Sequence, residues 1–477
     1  MGQEIPRIGF SEQDQQRFVE HLARETAQLE SLALQGGLSD ARFQAGYELE
    51  AWLLDHAGFP SPVNEEFLRR LDDPLVVPEL SRFNVELNAP PLVMGAGVLR
   101  GMETSLAGTW RRCQEVAHGM DTVLAMVGIL PNLRLADLGL DHMSAVNRFV
   151  ALNREVQRQR GGQPIHIRIE GEESLELLRP DVMLEAATTS FQVHLQVPHV
   201  HVARHYNAAL VCCGPLLAAS VNSPLLFGRR LWQETRIPLF EQSVEVGGYA
   251  GLADASVRRV TLGQGYVGGE VLALFRQNLD LYPVLLPIPQ EGPAERYPHL
   301  RLHNGTIWRW VRPLVGFAEG AGCHVRLEQR VLPSGPSVPD MVANAAFYLG
   351  LCHALATGPE PPETRLGFAA TRANFYAAAR HGLEAELRWL DGHLHPARTL
   401  ILDVCLPLAE QGLAAFGLEA NEFGPHLEVL RQRVRSGQTG AVWQLRNLAR
   451  EQGDAGRMMA NYLENQRAGL PVHEWEP

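Results

Sequence analysis

Four short stretches of the chain alternate apolar and polar residues, and each carries an acidic or metal-binding side chain at a polar position. Successive side chains of a β-strand point to opposite faces of a sheet, so each stretch is predicted to be a strand. In the first stretch Glu48 and Glu50 share one face, and in the fourth Arg326, Glu328 and Arg330 do the same. The four stretches are Gly46–Glu50, Arg82–Asn88, Phe191–Val197 and Cys323–Arg330.

These strands would bring several carboxylates and one imidazole together if they belong to one sheet. Carboxylates about 5 Å apart repel by roughly 3 kcal/mol per pair at an effective dielectric constant near 20. Such a cluster is therefore stable only with protons or bound cations. An oxygen-rich donor set with one imidazole suits Mg²⁺ or Mn²⁺ better than zinc. The candidate metal ligands are Glu48, Glu50, Glu86, His194 and Glu328.

The composition excludes several classes of function. All 42 basic side chains of the 477 residues are arginines, so no lysine is present for Schiff-base chemistry or a phosphate-binding loop. The net charge of −12 argues against nucleic acid or an anionic membrane as the main partner. Bound phosphate would have to be held by arginine, backbone amides and metal ions.

The cysteines and the apolar segments favour a reducing, aqueous compartment. The six cysteines are scattered without a C-x-x-C pair, which disfavours a disulfide framework or a zinc knuckle. Charges and Pro6 interrupt the first 20 residues, and no uncharged apolar run is long enough to span a bilayer. We expect a cytoplasmic protein with reduced thiols.

The order of predicted elements favours an α+β fold. Strands separated by unequal helical insertions are typical of an antiparallel sheet rather than of regular βαβ winding. Residues spaced as on a helix predict helices at 11–34, 97–127, 203–221, 341–357, 369–390, 398–416 and 425–465. We expect an N-terminal helical segment at 1–36, a catalytic core at 37–340, and a helical C-terminal region at 341–477, within the same domain or beside it.

Several arginines lie where a bound anion would need them. Arg326 and Arg330 flank Glu328, where they would bind a triphosphate and stabilise charge on a transferring phosphoryl group. Arg312 is a further candidate, on another predicted strand. The segment Asn222–Arg236 contains arginines that could bind a substrate carboxylate through paired hydrogen bonds.

Two other patterns indicate different chemistry. His199-x-His201, near His194, suggests a zinc-dependent hydrolase, but no glutamate-containing zinc signature accompanies these histidines. Gly263–Gly268 matches the dinucleotide pattern G-x-G-x-x-G, yet the preceding residues 258–262 are too charged for a buried parallel strand. The carboxylate cluster is therefore favoured over a zinc site, and a glycine turn over a dinucleotide site.

Taken together, the motifs resemble the glutamate–cysteine ligase family of carboxylate–amine ligases, over residues 43–345. The matching pieces are the first metal strand Gly46-x-Glu48-x-Glu50, the next metal strand Val85-Glu86-Leu87-Asn88, the histidine strand Thr188–His194, the substrate-arginine segment Asn222–Arg236, the W-x-x-R-P element Trp310-Val311-Arg312-Pro313 and the E-x-R element Glu328-Gln329-Arg330. The combination is specific, whereas no single piece is.

This resemblance implies a glutamine-synthetase-like fold: a curved antiparallel sheet bearing the active site, helices packed outside, and a helical C-terminal region. It implies ATP and Mg²⁺, or Mn²⁺, as cofactors, with Glu48, Glu50, Glu86, His194 and Glu328 as metal ligands. The other implied assignments are Arg312, Arg326 and Arg330 to phosphate and catalysis, His194 and Gln192 to the nucleotide, and Arg236 and Asn222 to the acid substrate.

The implied reaction phosphorylates an amino-acid carboxylate, expected to be the γ-carboxylate of L-glutamate, and couples the acyl phosphate to an amine, expected to be L-cysteine. Three alternatives stay open: a different amine, a metal-dependent hydrolase built on His194, His199 and His201, and a non-catalytic ATP-binding protein. We expect small-molecule substrates and a homo-oligomer, without a nucleic-acid or membrane partner.

Overall fold

Short and long strands run through the first 400 residues of the chain. The computed structural model describes residues 5, 7–40, 42–246, 258–290, 293–318 and 322–476. The strands are β1 (Gln44–Leu54), β2 (Val76–Pro78), β3 (Asn84–Asn88), β4 (Leu92–Val93), β5 (Val123–Ala125), β6 (Ile165–Glu170), β7 (Ser174–Arg179), β8 (Phe191–Gln196), β9 (Leu225–Leu226), β10 (Arg229–Arg230), β11 (Val260–Thr261), β12 (Trp308–Arg309), β13 (Val311–Ala318), β14 (Gly322–Gln329), β15 (Glu386–Arg388) and β16 (Leu394–Pro396).

One antiparallel sheet combines all four predicted alternating stretches. Its strand order is β13-β14-β8-β1-β3-β2, and β4 and β5 pair with the two ends of β1. The remaining described strands form two-stranded pairs outside this sheet. The predicted α+β class with a curled antiparallel sheet is confirmed.

The alternation of each strand separates an apolar face from a polar face. Tyr47 and Leu49 of β1 are buried on the apolar face, where the Tyr47 ring lies 5.8 Å from that of Phe191. On the same face Gln329 donates to the Ala209 carbonyl of the covering helix at 3.2 Å. The opposite face carries the carboxylates and the imidazole predicted from the sequence. A helical layer thus buries one face and leaves the other for chemistry.

Helices cover the sheet and, apart from the short β15–β16 hairpin, form most of the chain after β14. They are α1 (Glu12–Leu34), α2 (Asn64–Leu71), α3 (Val98–His118), α4 (Asn147–Gln159), α5 (Val202–Ser220), α6 (Arg236–Ser243), α7 (Ala273–Leu281), α8 (Pro298–Gly305), α9 (Val338–Thr357), α10 (Phe368–His381), α11 (Ala397–Leu400), α12 (Leu406–Ala415), α13 (Ala420–Ser436), α14 (Gly440–Arg450) and α15 (Ala455–Ala468). Helices α5 and α9 are buried around nearly their whole circumference, as expected of helices at the centre of a large core.

Two predicted helices are shorter than the sequence suggested. Helix α3 ends at His118, after which Asp121 has a left-handed backbone (φ 56°) and β5 pairs with the end of β1. Helix α10 ends at His381, and Gly382, which caps it at φ 56°, precedes the β15–β16 hairpin. The long segment 425–465 is divided among α13, α14 and α15. In each case the helix ends at a turn, although the helical spacing of apolar residues continues beyond that turn in the sequence.

The C-terminal helices pack directly on the sheet-covering layer. Arg433 of α13 forms a buried ion pair with Asp340 of α9 at 2.7 Å, and Tyr462 of α15 donates to the Met126 carbonyl at 2.9 Å. The boundaries at 36 and 340 stay a prediction; residues 1–4, 6 and 477 lie outside the described residues. All six cysteines are free and buried. No helix in the described ranges has the length and apolarity to cross a membrane.

Candidate active site

Strand register brings the predicted metal ligands together on the polar face. Glu50 lies opposite Glu86 on the neighbouring strand β3. His194 of β8 lies opposite both Gly46 of β1 and Glu328 of β14. Because Glu48 and Glu50 are two residues apart on β1, both face the same side as His194 and Glu328. The five predicted ligands therefore fall into two adjacent groups.

The first group, called here the histidine group, consists of Glu48, His194 and Glu328. A ligand atom from each of the three lies within 4.8 Å of the other two. His194 Nε2 is 3.2 Å from Glu48 Oε1 and 3.9 Å from Glu328 Oε1. Glu48 Oε2 and His194 Nε2 are buried without a hydrogen-bond partner in the described part of the chain. Two carboxylates and an imidazole with unused donor atoms fit a divalent cation.

Arginines balance the charge of the histidine group. Arg312 donates to both oxygens of Glu328, at 2.7 and 3.0 Å, and Arg330 donates to Glu328 Oε2 at 2.9 Å. Burial by itself raises the pKa of Glu328, but the charges of Arg312, Arg330 and His194 outweigh it and hold that pKa far below its usual range. Burial likewise opposes ionisation of Glu48, and His194 lowers the Glu48 pKa overall. The surroundings therefore favour the charged form of both carboxylates, Glu48 and Glu328.

The second group, called here the triglutamate group, consists of Glu50, Glu79 and Glu86. Their carboxylate oxygens also lie within 4.8 Å of one another. The Ser190 amide donates to Glu50 at 2.6 Å, and Asn88 donates to Glu86 at 2.9 Å. Neutral donors orient these carboxylates without cancelling their charge.

Burial and mutual repulsion raise the pKa values of two carboxyl groups in the triglutamate group, Glu50 and Glu79. Burial raises the pKa of Glu50 to about 7, with a further contribution from Glu86 against the opposing charge of Arg330. Burial, then Glu86, Glu50 and Glu185, raise the pKa of Glu79 well above its ordinary value. A divalent cation would replace those protons, and an all-oxygen donor set suits Mg²⁺ or Mn²⁺.

Arg330 and Gln192 connect the two groups. Arg330 Nη1 donates to Gln192 Oε1 at 2.6 Å as well as to Glu328, and its charge acts on Glu50. Gln192 in turn donates to Glu50 Oε1 at 3.1 Å. Gln192 is completely buried, so the structure gives it a positioning role; its predicted contact with nucleotide stays untested. Arg330 lies between the two candidate cation sites and lines the open space above them.

A cavity of about 700 Å³ lies over both groups. One end is basic: Arg296 and Arg301 lie 4.7 and 5.9 Å from the Phe317 ring centre. Burial, with the charges of Arg326 and Arg296, lowers the pKa of Arg301. Within the described chain, none of the three forms an ion pair. We call Arg296, Arg301 and Arg326 the arginine cluster.

The two residues predicted to bind the acid substrate lie behind the cavity rather than in its wall. Arg236 is 2% exposed, pairs with Glu234 at 3.2 Å and donates to the Val331 carbonyl. Asn222 donates to the Ser334 carbonyl at 2.8 Å. Both residues therefore support the segment that follows Arg330. Direct contact between either residue and a substrate stays an untested prediction.

Sequence reasoning missed several residues of the cavity wall. Glu79 lies just after β2, which pairs with β3, so a hairpin ending near Glu86 was the available signal. Arg148, Arg296 and Arg301 also line the cavity, but they belong to helices or their approaches and follow no strand alternation. Glu185 lies on a single 3₁₀ turn, Met183–Ala187. No motif in the sequence marks these positions.

The competing patterns do not form sites in the described structure. His199 and His201 lie on a 3₁₀ turn after β8, and neither joins a metal-ligand group among the described residues. Strand β11, which precedes Gly263, has two residues and pairs only with the equally short β12. A dinucleotide site needs a central parallel strand leading into a helix, and this turn has none.

Solved structures of two ligases share this fold. Over 90% of both chains, the protein resembles glutamate–cysteine ligase from Francisella tularensis, solved in complex with AMP, with a TM-score of 0.55 and 13% identity. It also resembles a bifunctional glutathione synthetase from Pasteurella multocida, with a TM-score of 0.50 and 14% identity, over 95% of this chain and 55% of that one. At such low identity these likenesses concern the fold alone.

The sequence gives a family assignment of its own. No curated protein matches the chain by sequence. The family model described as Glutamate-cysteine ligase family 2 matches residues 44–464, which extends the motif resemblance through the C-terminal helices. The carboxylate strands, the W-x-x-R-P and E-x-R elements and the helical region therefore belong to one family pattern, that of ligases forming a carbon–nitrogen bond. The chain belongs to glutamate–cysteine ligase family 2.

Proposed function

We propose that the protein is an ATP-dependent ligase that activates the γ-carboxylate of L-glutamate as an acyl phosphate and joins it to an amine, L-cysteine. A carboxylate oxygen attacks the γ-phosphorus of ATP and ADP leaves. The amine nitrogen then attacks the acyl carbon and phosphate leaves. The observation that supports the proposal is the pair of adjacent carboxylate groups, each a candidate cation site, with Arg330 hydrogen-bonded to one and acting on the other, in the wall of one cavity.

The order of charges across the sheet supports a direction for the substrates. From β2 towards β14 the polar face carries the triglutamate group and then the histidine group, and the arginine cluster lines the same cavity, with Arg326 on β14 two residues before Glu328. A nucleotide polyphosphate would lie at the arginine end, with its γ-phosphate near Arg330. The substrate carboxylate would lie beside the triglutamate group. With the substrates bound in this way, the attacking oxygen and the leaving ADP would lie on opposite sides of the transferring phosphoryl group, as an in-line transfer requires.

Both groups fit Mg²⁺ or Mn²⁺ by donor chemistry. Glu48, His194 and Glu328 would hold one ion, and Glu50, Glu79 and Glu86 a second. Bound there, the ions would neutralise phosphate and carboxylate charge that otherwise opposes the attack.

The protein's own side chains supply positioning and charge. Arg330 is held by Gln192 and Glu328 and presents its remaining donors towards the space between the groups, where charge develops on the phosphoryl oxygens. Arg326 donates to His194 Nδ1 at 3.3 Å. Metal binding through His194 Nε2 requires the ring proton on Nδ1, so Arg326 must then release His194. Arg326 would then be available to bind phosphate.

ADP release tests this proposal. Wild-type protein is incubated with Mg²⁺, ATP and L-glutamate, with and without L-cysteine or a panel of other amines. Cysteine-dependent ADP release with a γ-glutamyl product supports both the reaction and the substrates. Release with a different amine keeps the reaction and changes the acceptor. Binding of ATP without ADP release under every mixture would overturn the proposal in favour of a non-catalytic protein.

A further inference from the structure

One wall of the cavity carries an acidic side chain that the proposed steps do not use. Glu185 lies on the 3₁₀ turn Met183–Ala187, and its side chain lines the cavity. Within the described chain its carboxylate has no hydrogen bond or ion pair. Two charged neighbours act on it in opposite directions: Glu50 raises the Glu185 pKa and Arg330 lowers it, and Glu185 in turn acts on Glu79. The Glu185 carboxylate therefore has no direct cationic partner, and only the charge of Arg330 partly offsets its burial.

Apolar side chains line the same cavity as Glu185, and hydrogen bonds hold the turn that carries it. Phe149 and Leu152 of α4 and Val182 line the same cavity. The Val182 amide donates to Asn153 at 3.1 Å, and the Met183 amide donates to Asp181 at 3.1 Å. The start of the 3₁₀ turn is therefore fixed both to Asn153 of α4 and to the side chain of Asp181. This corner of the cavity is preformed.

The location matches the direction from which an amine must approach. In the proposed reaction the phosphate leaves towards Arg330 and the histidine group. The amine must attack the acyl carbon from the triglutamate side, where neither ATP nor its phosphates lie. Glu185 lines the same cavity as Glu50 and Glu79, and its charge interacts with both. Burial, reinforced by Glu50 and partly opposed by Arg330, raises the pKa of Glu185 to about 8, and a bound ammonium group would provide a direct opposite charge.

We propose that Glu185, with Phe149, Leu152 and Val182, forms the acceptor subsite and binds the ammonium group of a primary amine with a compact apolar body. This inference rests on the proposed ligase function. Glu185 accepts a charge-assisted hydrogen bond from the ammonium nitrogen and takes one proton from it, so that the nitrogen lone pair is free to attack the acyl carbon. The three apolar side chains contact the carbon skeleton. An acceptor with a second negative charge, such as aspartate, is disfavoured at this acidic end.

Steady-state kinetics of matched variants tests the subsite. Wild type, Glu185→Gln and Glu185→Asp are compared using L-cysteine, cysteamine and L-aspartate as acceptors, with Glu115→Gln, exposed on α3, as the control. We expect Glu185→Gln to raise the KM of L-cysteine and of cysteamine by about 10-fold or more, because a charged hydrogen bond is lost. The KM values for ATP and glutamate should change much less, and Glu185→Asp should restore part of the acceptor affinity.

The outcomes separate this inference from the function on which it rests. Equal acceptor KM values in wild type and Glu185→Gln, with normal turnover, would overturn the subsite and leave the ligase proposal intact. A parallel rise in the KM values of ATP, glutamate and amine would also overturn it, since that indicates a general disturbance of the site. No ADP release by wild type with any amine would overturn both proposals. Phe149→Ala provides a second check, because it should weaken the apolar acceptors while leaving the charge at position 185 unchanged.

Discussion

The histidine group and the triglutamate group share one face of one sheet, and β1 contributes a glutamate to each, yet their charges are balanced in opposite ways. In the histidine group, Arg312 and Arg330 bind Glu328 directly and the pKa of Glu328 falls. In the triglutamate group, burial and neighbouring carboxylates raise the pKa values of Glu50 and Glu79. Side chains of similar chemistry thus differ in protonation because of what lies beside them.

Strand order explains the difference. Arg312 belongs to β13 and Arg330 follows β14, so their guanidinium groups reach Glu328 at that side of the sheet. Glu79 and Glu86 belong to the β2–β3 side, where Asn88 and backbone amides are the donors. The comparison indicates one group whose carboxylates are held in the charged form by neighbouring cations, beside a second group in which Glu50 and Glu79 would give up protons when a cation binds. Four predictions test it.

The largest effect is expected in the histidine group. Glu48→Gln and Glu328→Gln each remove a negative ligand atom, so ATP turnover should fall by about 100-fold or more, because charge stabilisation at the transferring phosphoryl group is lost. Circular dichroism should show an intact fold, and Glu115→Gln should have wild-type turnover. Normal ATP turnover in both variants would refute the assignment of this group.

Substitution of Arg330 should give the next largest loss of turnover, because Arg330 donates to Glu328 of the histidine group and its charge acts on Glu50 of the triglutamate group. Replacing it with methionine removes the charge that balances Glu328 and acts on Glu50, and turnover should fall by about 100-fold. Arg330→Lys keeps the charge but loses the fork-shaped donor set, so partial activity is expected. Arg111→Met, on the exposed side of α3, is the control. Equal activity of Arg330→Met and Arg111→Met would mean that neither group needs the guanidinium charge of Arg330 for turnover.

Glu79→Gln should separate the two groups by metal affinity. The variant removes one oxygen ligand from the triglutamate group alone, so Mg²⁺ binding measured by calorimetry should weaken by about 10-fold at one site. The metal-free variant should also be more stable than wild type at pH 8, because one buried carboxyl no longer has to ionise. Unchanged Mg²⁺ affinity at both sites would exclude Glu79 as a ligand.

The smallest effect concerns pH and the metal-free protein. The pKa of Glu50 is about 7 in the folded state and about 4.3 in an unfolded chain, so the folded state binds its proton more tightly. The stability gained from that proton is present at low pH and is lost as pH rises through 7. Thermal unfolding without metal should therefore show decreasing stability from pH 5 to pH 8. Mg²⁺ should stabilise the protein more at pH 8 than at pH 5.

Other buried carboxyl groups also contribute to this pH dependence, so a variant is needed to separate their contribution. Glu185 and Glu241 have pKa values raised in the same direction, to about 8 and about 7, mainly by burial. They contribute to the decrease without metal, but they are not members of either metal-ligand group. The Mg²⁺-dependent part should vanish in a Glu50→Gln, Glu79→Gln double variant. If that part persists, the titrating groups lie elsewhere.

Much of the sheet could be predicted from the sequence because alternation is a local property. Each strand carries its own apolar and polar faces, so the sharing of a face by Glu48 and Glu50 needed no tertiary information. The structure confirms one antiparallel sheet and brings all five predicted ligands into two groups. Their binding of metal stays a prediction.

The remainder of the site depends on contacts distant in sequence. Glu79 follows a three-residue strand whose partner determines its position, and Arg301 comes from a helix with no motif. Arg236 looked suitable for a substrate carboxylate, but Glu234 and two backbone carbonyls already engage it. Local patterns indicate which face a residue occupies; they do not indicate whether another residue has already neutralised it.

Transfer of a labelled oxygen tests the central claim most directly. L-Glutamate labelled with ¹⁸O in its γ-carboxylate is incubated with Mg²⁺, ATP, L-cysteine and the wild-type protein, and the released phosphate is analysed by mass spectrometry. An acyl phosphate intermediate moves a carboxylate oxygen to phosphorus, so the account predicts one labelled oxygen in each phosphate released. Phosphate without label, released together with a γ-glutamyl product, would contradict activation of the carboxylate by ATP in this cavity.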